Sequence, residues 1–479
     1  MRICILQPDY STTGVDYKNY DPPRNLSDLL PDHIIDHVFL NKLTTYKQLL
    51  ELSRKKYDCF VNLCEGYLEW EVPSIDVIHA LDLLNLPYTG PSALLYDPPK
   101  ALMKYVAYTE DVTTPEYALL DPESDIIDET KHLCFPLFVK PSKAGDSLGV
   151  TDQSLVHNQE ALVQYCQQLL EEFPEIIVET YIAGREFTVL IVADPNNAKT
   201  PYVYPPIEYI FPEGKSFKTY ALKTSELHPE ANSVVTDKKI IKDLSEAAVK
   251  IFNDFGGIGY ARLDFRMNDK HELYFLEINF TCSVFYTNGY EGSADYILKS
   301  DKDGQSGFLQ KIIQEGIARH HAKQKKYIMR RTSIAGYGIY AKAEITRGEI
   351  IFRGEEKPHR LISRQWMEHN WNEQEKKLFR QYALPISTEI YIYWDEDPTV
   401  WAPQNHSCRP NTIYDGLNVI ALRDIRKGEE LTLDYSHLLD ESAAPFDCTC
   451  GAPQCKKRIS GDKDNSFTYK EMQRRKLSH

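Results

Sequence analysis

Three groups of residues in this 479-residue chain have the types and spacing to do chemistry. In 448–455, Cys448, Cys450 and Cys455 stand at C-x-C-x4-C spacing, close enough for three thiolates to share one tetrahedral zinc ion, and Cys408 upstream can supply the fourth. A chance grouping of buried or free thiols is the alternative. In 259–279, Arg262 and Asp264 are two apart, as are Glu277 and Asn279, so on strands each pair shares a face. Two carboxylates and an amide oxygen facing one space suit Mg2+ ions that carry nucleotide phosphates, and an arginine beside them can steady an oxyanion. Ordinary cross-strand ion pairing is the alternative. In 135–150, Lys140 closes an apolar run and a loop with Gly145 and Gly149 follows. Outward-facing amides in such a loop wrap phosphate oxygens while the ammonium neutralises their charge. A surface turn with a chance lysine competes with that reading.

The elements that must hold these residues follow from hydrophobic periodicity. Residues 2–91 alternate short apolar runs (3–6, 59–63) with helical stretches (46–56, 75–84), which predicts βα units and a parallel sheet. Strands are expected at 135–139, 176–179 and, after a turn at Gly184, 187–192, with a helix at 158–172. A helix at 237–254 then precedes two strands, 262–266 and 273–278, around a turn at Asn268-Asp269. This reads as two α/β lobes before residue 300. A closing helix is expected at 308–320, and the basic run Lys323, Lys325, Lys326, Arg330, Arg331 reads as a solvated junction. Short β-type segments and a Cys-rich tail follow it.

Composition narrows the classes. Net charge is −15 overall, but residues 1–325 carry 31 basic against 48 acidic side chains and 326–479 carry 24 against 22. An acidic first part repels a phosphate backbone, so no nucleic-acid partner is expected. No stretch reaches the roughly 20 apolar residues that span a bilayer, so no membrane partner is expected either. The ten cysteines are mostly scattered, which favours reduced thiols plus one metal cluster over a disulfide framework and predicts a cytoplasmic setting.

Six ordered motifs carry a resemblance: Asn62-Leu-Cys-Glu65-Gly66, Leu86-Pro-Tyr-Thr-Gly90, Val139-Lys140-Pro-Ser, Glu179-Thr-Tyr181-Ile-Ala-Gly184-Arg-Glu186-Phe-Thr, Arg262-Leu-Asp264 and Leu276-Glu277-Ile-Asn279. Over about 1–320 the chain resembles the ATP-grasp fold, specifically D-alanine-D-alanine ligase and related carboxylate-amine ligases. That resemblance implies an α/β ATP-grasp fold in which Lys100 and Lys140 bind phosphates and Ser147 sits in the glycine loop over them. Glu179, Tyr181 and Ile182 belong to the strand whose backbone reads adenine, Glu186 binds the ribose, and Lys223 lies on the active-site flap. Asp264, Glu277 and Asn279 match the magnesium ligands, and Arg262 the arginine that steadies the tetrahedral intermediate. ATP would phosphorylate a carboxylate and an amine would attack the acylphosphate, giving an amide. The resemblance also makes a homodimer a candidate assembly. Two segments depart from the family: Phe280-Thr-Cys-Ser-Val-Phe-Tyr286 where it has an acceptor-cupping loop, and Cys64-Glu65-Gly66-Tyr-Leu-Glu69-Trp where it has a histidine-containing, glycine-rich one. A working ATP site with a substrate pocket not made for D-alanine is therefore expected.

A second resemblance covers about 326–460. Gly336-Tyr337-Gly338-Ile-Tyr-Ala, the Arg347–Glu355 stretch, Asn405-His406-Ser-Cys408-Arg-Pro-Asn411, Gly428-Glu-Glu-Leu-Thr-Leu-Asp434-Tyr435 and the cysteine cluster together resemble SET-domain methyltransferases with a post-SET zinc module. By that resemblance Gly336, Tyr337, Gly338, Asn405 and His406 hold S-adenosylmethionine and Tyr435 is catalytic. Cys408 joins Cys448, Cys450 and Cys455 around Zn2+. Tyr391 and Tyr393, before Asp395-Glu396-Asp397, are candidates for an aromatic substrate channel or for ordinary strand positions.

The expected organisation is a multidomain chain: 1–105 an ATP-grasp N-terminal α/β domain, 106–320 the nucleotide and catalytic domains, 321–331 a linker, 332–437 a mainly β SET domain, and 438–479 the post-SET module and tail. The expected function is a bifunctional ATP- and Mg2+-dependent carboxylate-amine ligase and S-adenosylmethionine-dependent N-methyltransferase, with amino-acid or peptide substrates. The alternative is a protein-lysine methyltransferase whose ATP-grasp half is a nucleotide-dependent substrate or partner module.

Overall fold

The computed structural model describes all residues except 14–20, 67–70, 144–148, 198, 214–215, 218–230, 288, 333–335, 388, 395–403, 441–442 and 462–479. It divides into two compact units, Met1–Lys323 and Gln324–His479.

The first unit opens on a three-stranded parallel sheet: β1 (Arg2–Pro8) between β2 (Ile34–Leu40) and β3 (Cys59–Asn62). Its central strand is apolar from Ile3 to Leu6 because both faces are covered there. Cys4 and Leu6 face helices Thr45–Ser53 and Ile75–Leu83, while Ile3 and Ile5 face the helix Gly304–Lys323 through Phe308, Leu309 and Ile312. That last helix starts four residues before the expected 308 and closes the unit onto its first sheet.

Where the sequence suggested one further lobe, the structure has two antiparallel sheets. The four-stranded sheet joins β4 (Tyr117–Leu120), β7 (Ile176–Thr180), β5 (Leu137–Pro141) and β6 (Leu155–Val156) in that order. Helix Gln159–Glu172 covers one face through Leu162, Cys166 and Leu169, against Leu137, Val139 and Val178. Because side chains alternate, Phe138, Lys140 and Glu179 are left on the other face. The six-stranded sheet runs β11 (Asn232–Val234), β10 (Ile207–Tyr209), β8 (Arg185–Val192), β12 (Tyr260–Met267), β13 (Leu273–Asn279), with β9 (Tyr202–Val203) on the end of β8. Helix Lys238–Asp254, within a residue of its expected start, is capped by Asp237 and packs Leu244, Ala248 and Ile251 against Phe187, Val189, Ala261, Leu263 and Phe265. The turn from β7 into β8 requires Gly184: its φ is +126°, and a Cβ there would lie 2.3 Å from the Met267 carbonyl oxygen.

The boundary between the two units, after Lys323, falls inside the expected junction 321–331, which is shorter than expected. Helix Gly304–Lys323 ends inside it, and β14 (Tyr327–Thr332) already belongs to the second unit, pairing with β15 (Gly336–Ala341). The basic run extends past the junction because a two-stranded hairpin leaves Arg330 and Arg331 in solvent while Tyr327 is buried. The second unit is mainly β, with short sheets around Ile339, Ile351, Trp394, Val419 and Leu431 and two helices, Arg364–Asn370 and Glu373–Tyr382.

Candidate active sites

In the first unit, strand register assembles the site. Asp264 on β12 stands directly opposite Glu277 on β13, and Arg262 opposite Asn279. On the other flank of β12, Thr188 and Glu186 of β8 oppose Asp264 and Arg266. The alternate residues of β8 and β12 fill the apolar core, and a register shift between Asp264 and Phe265 lets Phe275 and Ile278 of β13 both join that core while Glu277 stands beside Asp264. A cleft of about 830 Å³, counting the space open to solvent, is lined by Lys100, Lys140, Glu179, Glu186, Asp264 and Glu277, with Tyr181 and Ile182 at its side. Eight of the expected nucleotide and metal residues thus meet in one place. Arg262 binds Asp264 through Nε at 3.3 Å and a terminal nitrogen at 3.1 Å. Asn279 does not line the cleft; its side-chain oxygen accepts from the Thr281 amide at 3.0 Å. Ser147 and Lys223 lie outside the described residues.

The electrostatics centre on Glu179. Lys104 Nζ is 2.5 Å and Lys140 Nζ 2.6 Å from its carboxylate oxygens, and all three groups are buried or nearly so. Burial alone would raise this carboxyl, yet the two ammonium groups hold it down at about 2. Desolvation lowers Lys104 to about 8. It also lowers Lys100, against the pull of Glu277, whose carboxylate is 3.9 Å from Lys100 Nζ. Lys104 follows Lys100 by one helical turn on Lys100–Thr109, a spacing that signals a shared face. Sequence reasoning nevertheless missed it. Arg266 was missed as well: its Nε and one terminal nitrogen bind Glu186 Oε2 at 3.2 and 3.1 Å, the other terminal nitrogen donates to the Ile182 carbonyl at 2.8 Å, and it sits 4.9 Å from the Tyr181 ring centre. Its strand parity with Arg262 and Asp264 was the available signal.

These residues fit a nucleotide with divalent metal. Asp264 and Glu277 are hard oxygen donors side by side. Beside them the hydroxyls of Thr188 and Thr180 are buried without a hydrogen-bond partner among the described residues, and buried hydroxyls are normally satisfied. Replacing Lys104 with methionine leaves Glu179 buried with one cation instead of two, so a loss of up to about 3 kcal/mol in urea unfolding is expected. The Glu179 contribution has a definite pH sign. Its folded pKa lies below its ordinary 4.5, so the stabilisation is present above 4.5 and lost as pH falls towards about 2. The Lys104→Met variant should show a smaller decline across that window in the same measurement.

In the second unit, strands Asn405–His406 and Thr432–Leu433 pair in parallel and bring the expected segments together. Buried Asn411 ties them, accepting from Thr432 N at 2.9 Å and donating to the Glu430 carbonyl at 2.8 Å. Asn405 donates to the Tyr337 carbonyl at 3.2 Å, which joins the Gly336–Ala341 strand to the Asn405-His406 pair. The Tyr435 amide donates to His406 Nδ1 at 3.1 Å, and the Tyr435 hydroxyl donates to the Gln404 carbonyl. His406 and Phe446 lie 5.6 and 6.1 Å from the Tyr435 ring centre. Burial pushes the Tyr435 phenol up to about 12, so it is a neutral donor at ordinary pH.

Tyr391 and Tyr393 do not supply the aromatic channel. Both lie on the Ile390–Trp394 strand facing Phe379, at ring distances of 5.0 and 5.9 Å, and the Tyr391 hydroxyl donates to Asp440. They belong to a local core with Met367 and Ile362. The acidic residues 395–397 lie outside the described residues.

The sulfur atoms of Cys408, Cys448, Cys450 and Cys455 all lie within 4.8 Å of one another, and Cys408 and Cys448 are 3.8 Å apart. Four thiolates at about 2.3 Å from a zinc ion stand about 3.8 Å apart, so the set fits that metal. The amides of Cys408, Cys450, Lys456 and Lys457 donate to these sulfurs at 3.3–3.4 Å. Burial would raise Cys450, but the Cys408 and Ala452 amides help bring it down to about 6. Elemental analysis of the full chain should find about one equivalent of zinc, and Cys448→Ser should remove it and lower the melting temperature of the second unit. Zinc near zero in the unmodified protein would refute the assignment.

A D-ala D-ala ligase C-terminus family model matches residues 107–286, and a SET domain model matches 336–436. The D-alanine–D-alanine ligase of Dechloromonas aromatica (strain RCB) is 34% identical over 206 residues, which are 42% of this chain and 64% of that protein. D-alanine–D-alanine ligase B of Chromobacterium violaceum is 30% identical over 239 residues, 49% of this chain and 73% of its own. A solved D-alanine–D-alanine ligase from Bacillus anthracis complexed with ATP has 20% identity and a TM-score of 0.48, covering 68% of this chain and 99% of its own. This chain spans 64% of the length of the first two curated relatives. With the family model falling on the strands that carry the cleft and the Chromobacterium relative 30% identical over 73% of its length, the chain belongs to the D-alanine–D-alanine ligase family, an ATP-grasp fold, and carries a SET domain after it.

Proposed function

We propose that the chain is a bifunctional enzyme: the first unit an ATP- and Mg2+-dependent carboxylate-amine ligase, the second an S-adenosylmethionine-dependent N-methyltransferase, both acting on one amino acid or peptide. The observation that carries the ligase reading is the opposed Asp264–Glu277 pair sharing a cleft with Lys100 and Lys140. Bound divalent metal would neutralise phosphate charge there. A substrate carboxylate oxygen attacks the γ-phosphorus of ATP and ADP leaves. An amine then attacks the carbonyl carbon of the acylphosphate, forming the amide and releasing phosphate. Lys100 and Lys140 neutralise phosphate oxygens, and Lys104 keeps Glu179 compensated while Lys140 turns to the nucleotide. Arg262 offers its guanidinium to the tetrahedral oxyanion.

In the second unit a neutral amine attacks the sulfonium methyl of S-adenosylmethionine and a thioether leaves. The Asn405–Tyr337 contact shapes the cofactor side, and the neutral Tyr435 hydroxyl orients the amine. No described helix is long and apolar enough to cross a membrane. All ten cysteines are unpaired, which supports a reducing, cytoplasmic setting.

The ligase reading is tested by incubating the full chain with ATP, Mg2+, hydroxylamine and a panel of amino acids and dipeptides. Hydroxamate formed in step with ADP is expected, because hydroxylamine traps an acylphosphate. Absence of hydroxamate and of ADP across the panel would count against a ligase.

A further inference from the structure

Strand β8 takes part in two arginine–glutamate bridges that differ in what they face. Arg185 grips Glu208 through Nε at 2.7 Å and a terminal nitrogen at 2.6 Å, with 44% of its side chain in solvent. An exposed pair of this kind contributes little. Glu186, one residue on, turns to the opposite face and pairs with Arg266, its direct cross-strand neighbour on β12. Here the side chains are only 10% and 4% exposed, and both residues line the cleft.

Three acceptors hold the Arg266 guanidinium. Nε and one terminal nitrogen converge on Glu186 Oε2, that same terminal nitrogen donates to the Ser216 carbonyl, and the other donates to the Ile182 carbonyl. The Tyr181 and Phe211 ring centres lie 4.9 and 5.5 Å from its central carbon, and the Tyr181 hydroxyl donates to the Ser216 carbonyl at 2.7 Å. One side chain thus ties the acid on β8 to the segment that leaves β7 and to the segment that follows β10.

Stability alone is a poor account of this pair. Desolvating two charges consumes most of what their attraction returns, and an apolar pair of similar volume holds two strands as well or better. The core face of the same two strands is built that way, with Phe187 opposite Phe265 and Val189 opposite Leu263. The charged pair stands where the strands face the cleft. A carboxylate there accepts hydroxyl hydrogens, and more strongly for being ionised. Buried without a cation it would take up a proton or turn towards water. Arg266 keeps it charged and fixes its rotamer.

We propose that Arg266 is a positioning residue of the nucleotide site: acting through Glu186, it sets the carboxylate against the sugar hydroxyls of the bound nucleotide and makes the site select ribose over sugars that lack them. This rests on the ligase reading above, which puts ATP in the cleft.

The test is equilibrium binding by titration calorimetry, using the full chain with Mg2+ and either ATP or 2′,3′-dideoxy-ATP, which lacks both sugar hydroxyls. The unmodified protein should bind ATP about tenfold or more tightly than the dideoxy compound, because a carboxylate built to meet hydroxyls is left unpaired without them. Arg266→Met should lose about tenfold in ATP affinity while dideoxy-ATP affinity moves less than about threefold, so the preference collapses. A merely structural arginine would weaken both ligands alike. In a Glu186→Gln background, Arg266→Met should cost ATP binding nothing further, since residues that act as one unit are not additive. Arg266→Lys keeps the charge without the two-pronged contact. It serves if Arg266→Met folds poorly, and should weaken ATP a few-fold with dideoxy-ATP unchanged. Equal losses for the two nucleotides, or no loss in either Arg266 variant, would overturn the assignment and leave the ligase reading standing. So would an unmodified protein that binds both nucleotides equally. Failure of both nucleotides to bind would count against the ligase reading itself, and the assignment would fall with it.

Discussion

Replacing Glu277 by glutamine is expected to leave the fold intact and to lower ADP-coupled amide formation by about 10²–10³-fold, the loss typical of removing one preorganised charge-stabilising group. Glutamine keeps the size and strand register of the glutamate, so the pairing of Asp264 with position 277 survives. The charge does not. Two negative ligands facing the phosphates become one, and Lys100 loses the anion 3.9 Å away that opposes its desolvation. Its ammonium is then less populated where it should meet phosphate. Both effects fall on kcat rather than on amino-acid binding. Steady-state ADP release with saturating ATP, together with a thermal melt matching the unmodified protein, checks this. Unaltered turnover would show that Glu277 is not a metal ligand.

Tyr435→Phe is expected to lower methyl transfer by about 10²-fold, the cost of losing the alignment of the attacking amine. The ring survives, and with it the contacts to His406 and Phe446. What is lost is the hydroxyl that donates to the Gln404 carbonyl. Because burial keeps that phenol neutral to about 12, its contribution is orientation of the amine and not removal of its proton. The deficit should therefore stay constant from pH 7 to pH 9. Methyl transfer from labelled S-adenosylmethionine, measured across that range, reads it directly. Full activity in the variant would remove Tyr435 from the chemistry.

Much of this was legible in the chain, for identifiable reasons. Helix Lys238–Asp254 has a period strong enough to mark its face and Asp237 to cap it. Strand parity marks Glu277 and Asn279 as sharing a face, but it takes the register shift between Asp264 and Phe265 to bring Glu277 opposite Asp264; the three clustered cysteines follow from spacing. What stayed hidden depends on contacts between distant segments. Lys104 and Lys140 converge on Glu179 only once helix Lys100–Thr109 meets two strands of another sheet. Arg24 reads in sequence as one more surface arginine, yet it bonds to Leu63 and Val284 and is buried. Tyr391 and Tyr393 fit either a channel or a core by composition, and the helix carrying Phe379 makes them core. The basic run at 323–331 hid the end of one unit and the first strand of the next because exposed hairpin positions and linkers share a composition.

The most direct test of the central claim supplies the full chain with methyl-labelled S-adenosylmethionine, Mg2+ and a small-molecule or a protein extract, with and without ATP. Label entering small molecules only when ATP is present is the predicted result, since ligation would then make the methyl acceptor. Label entering a protein band equally well without ATP would contradict a shared small-molecule substrate.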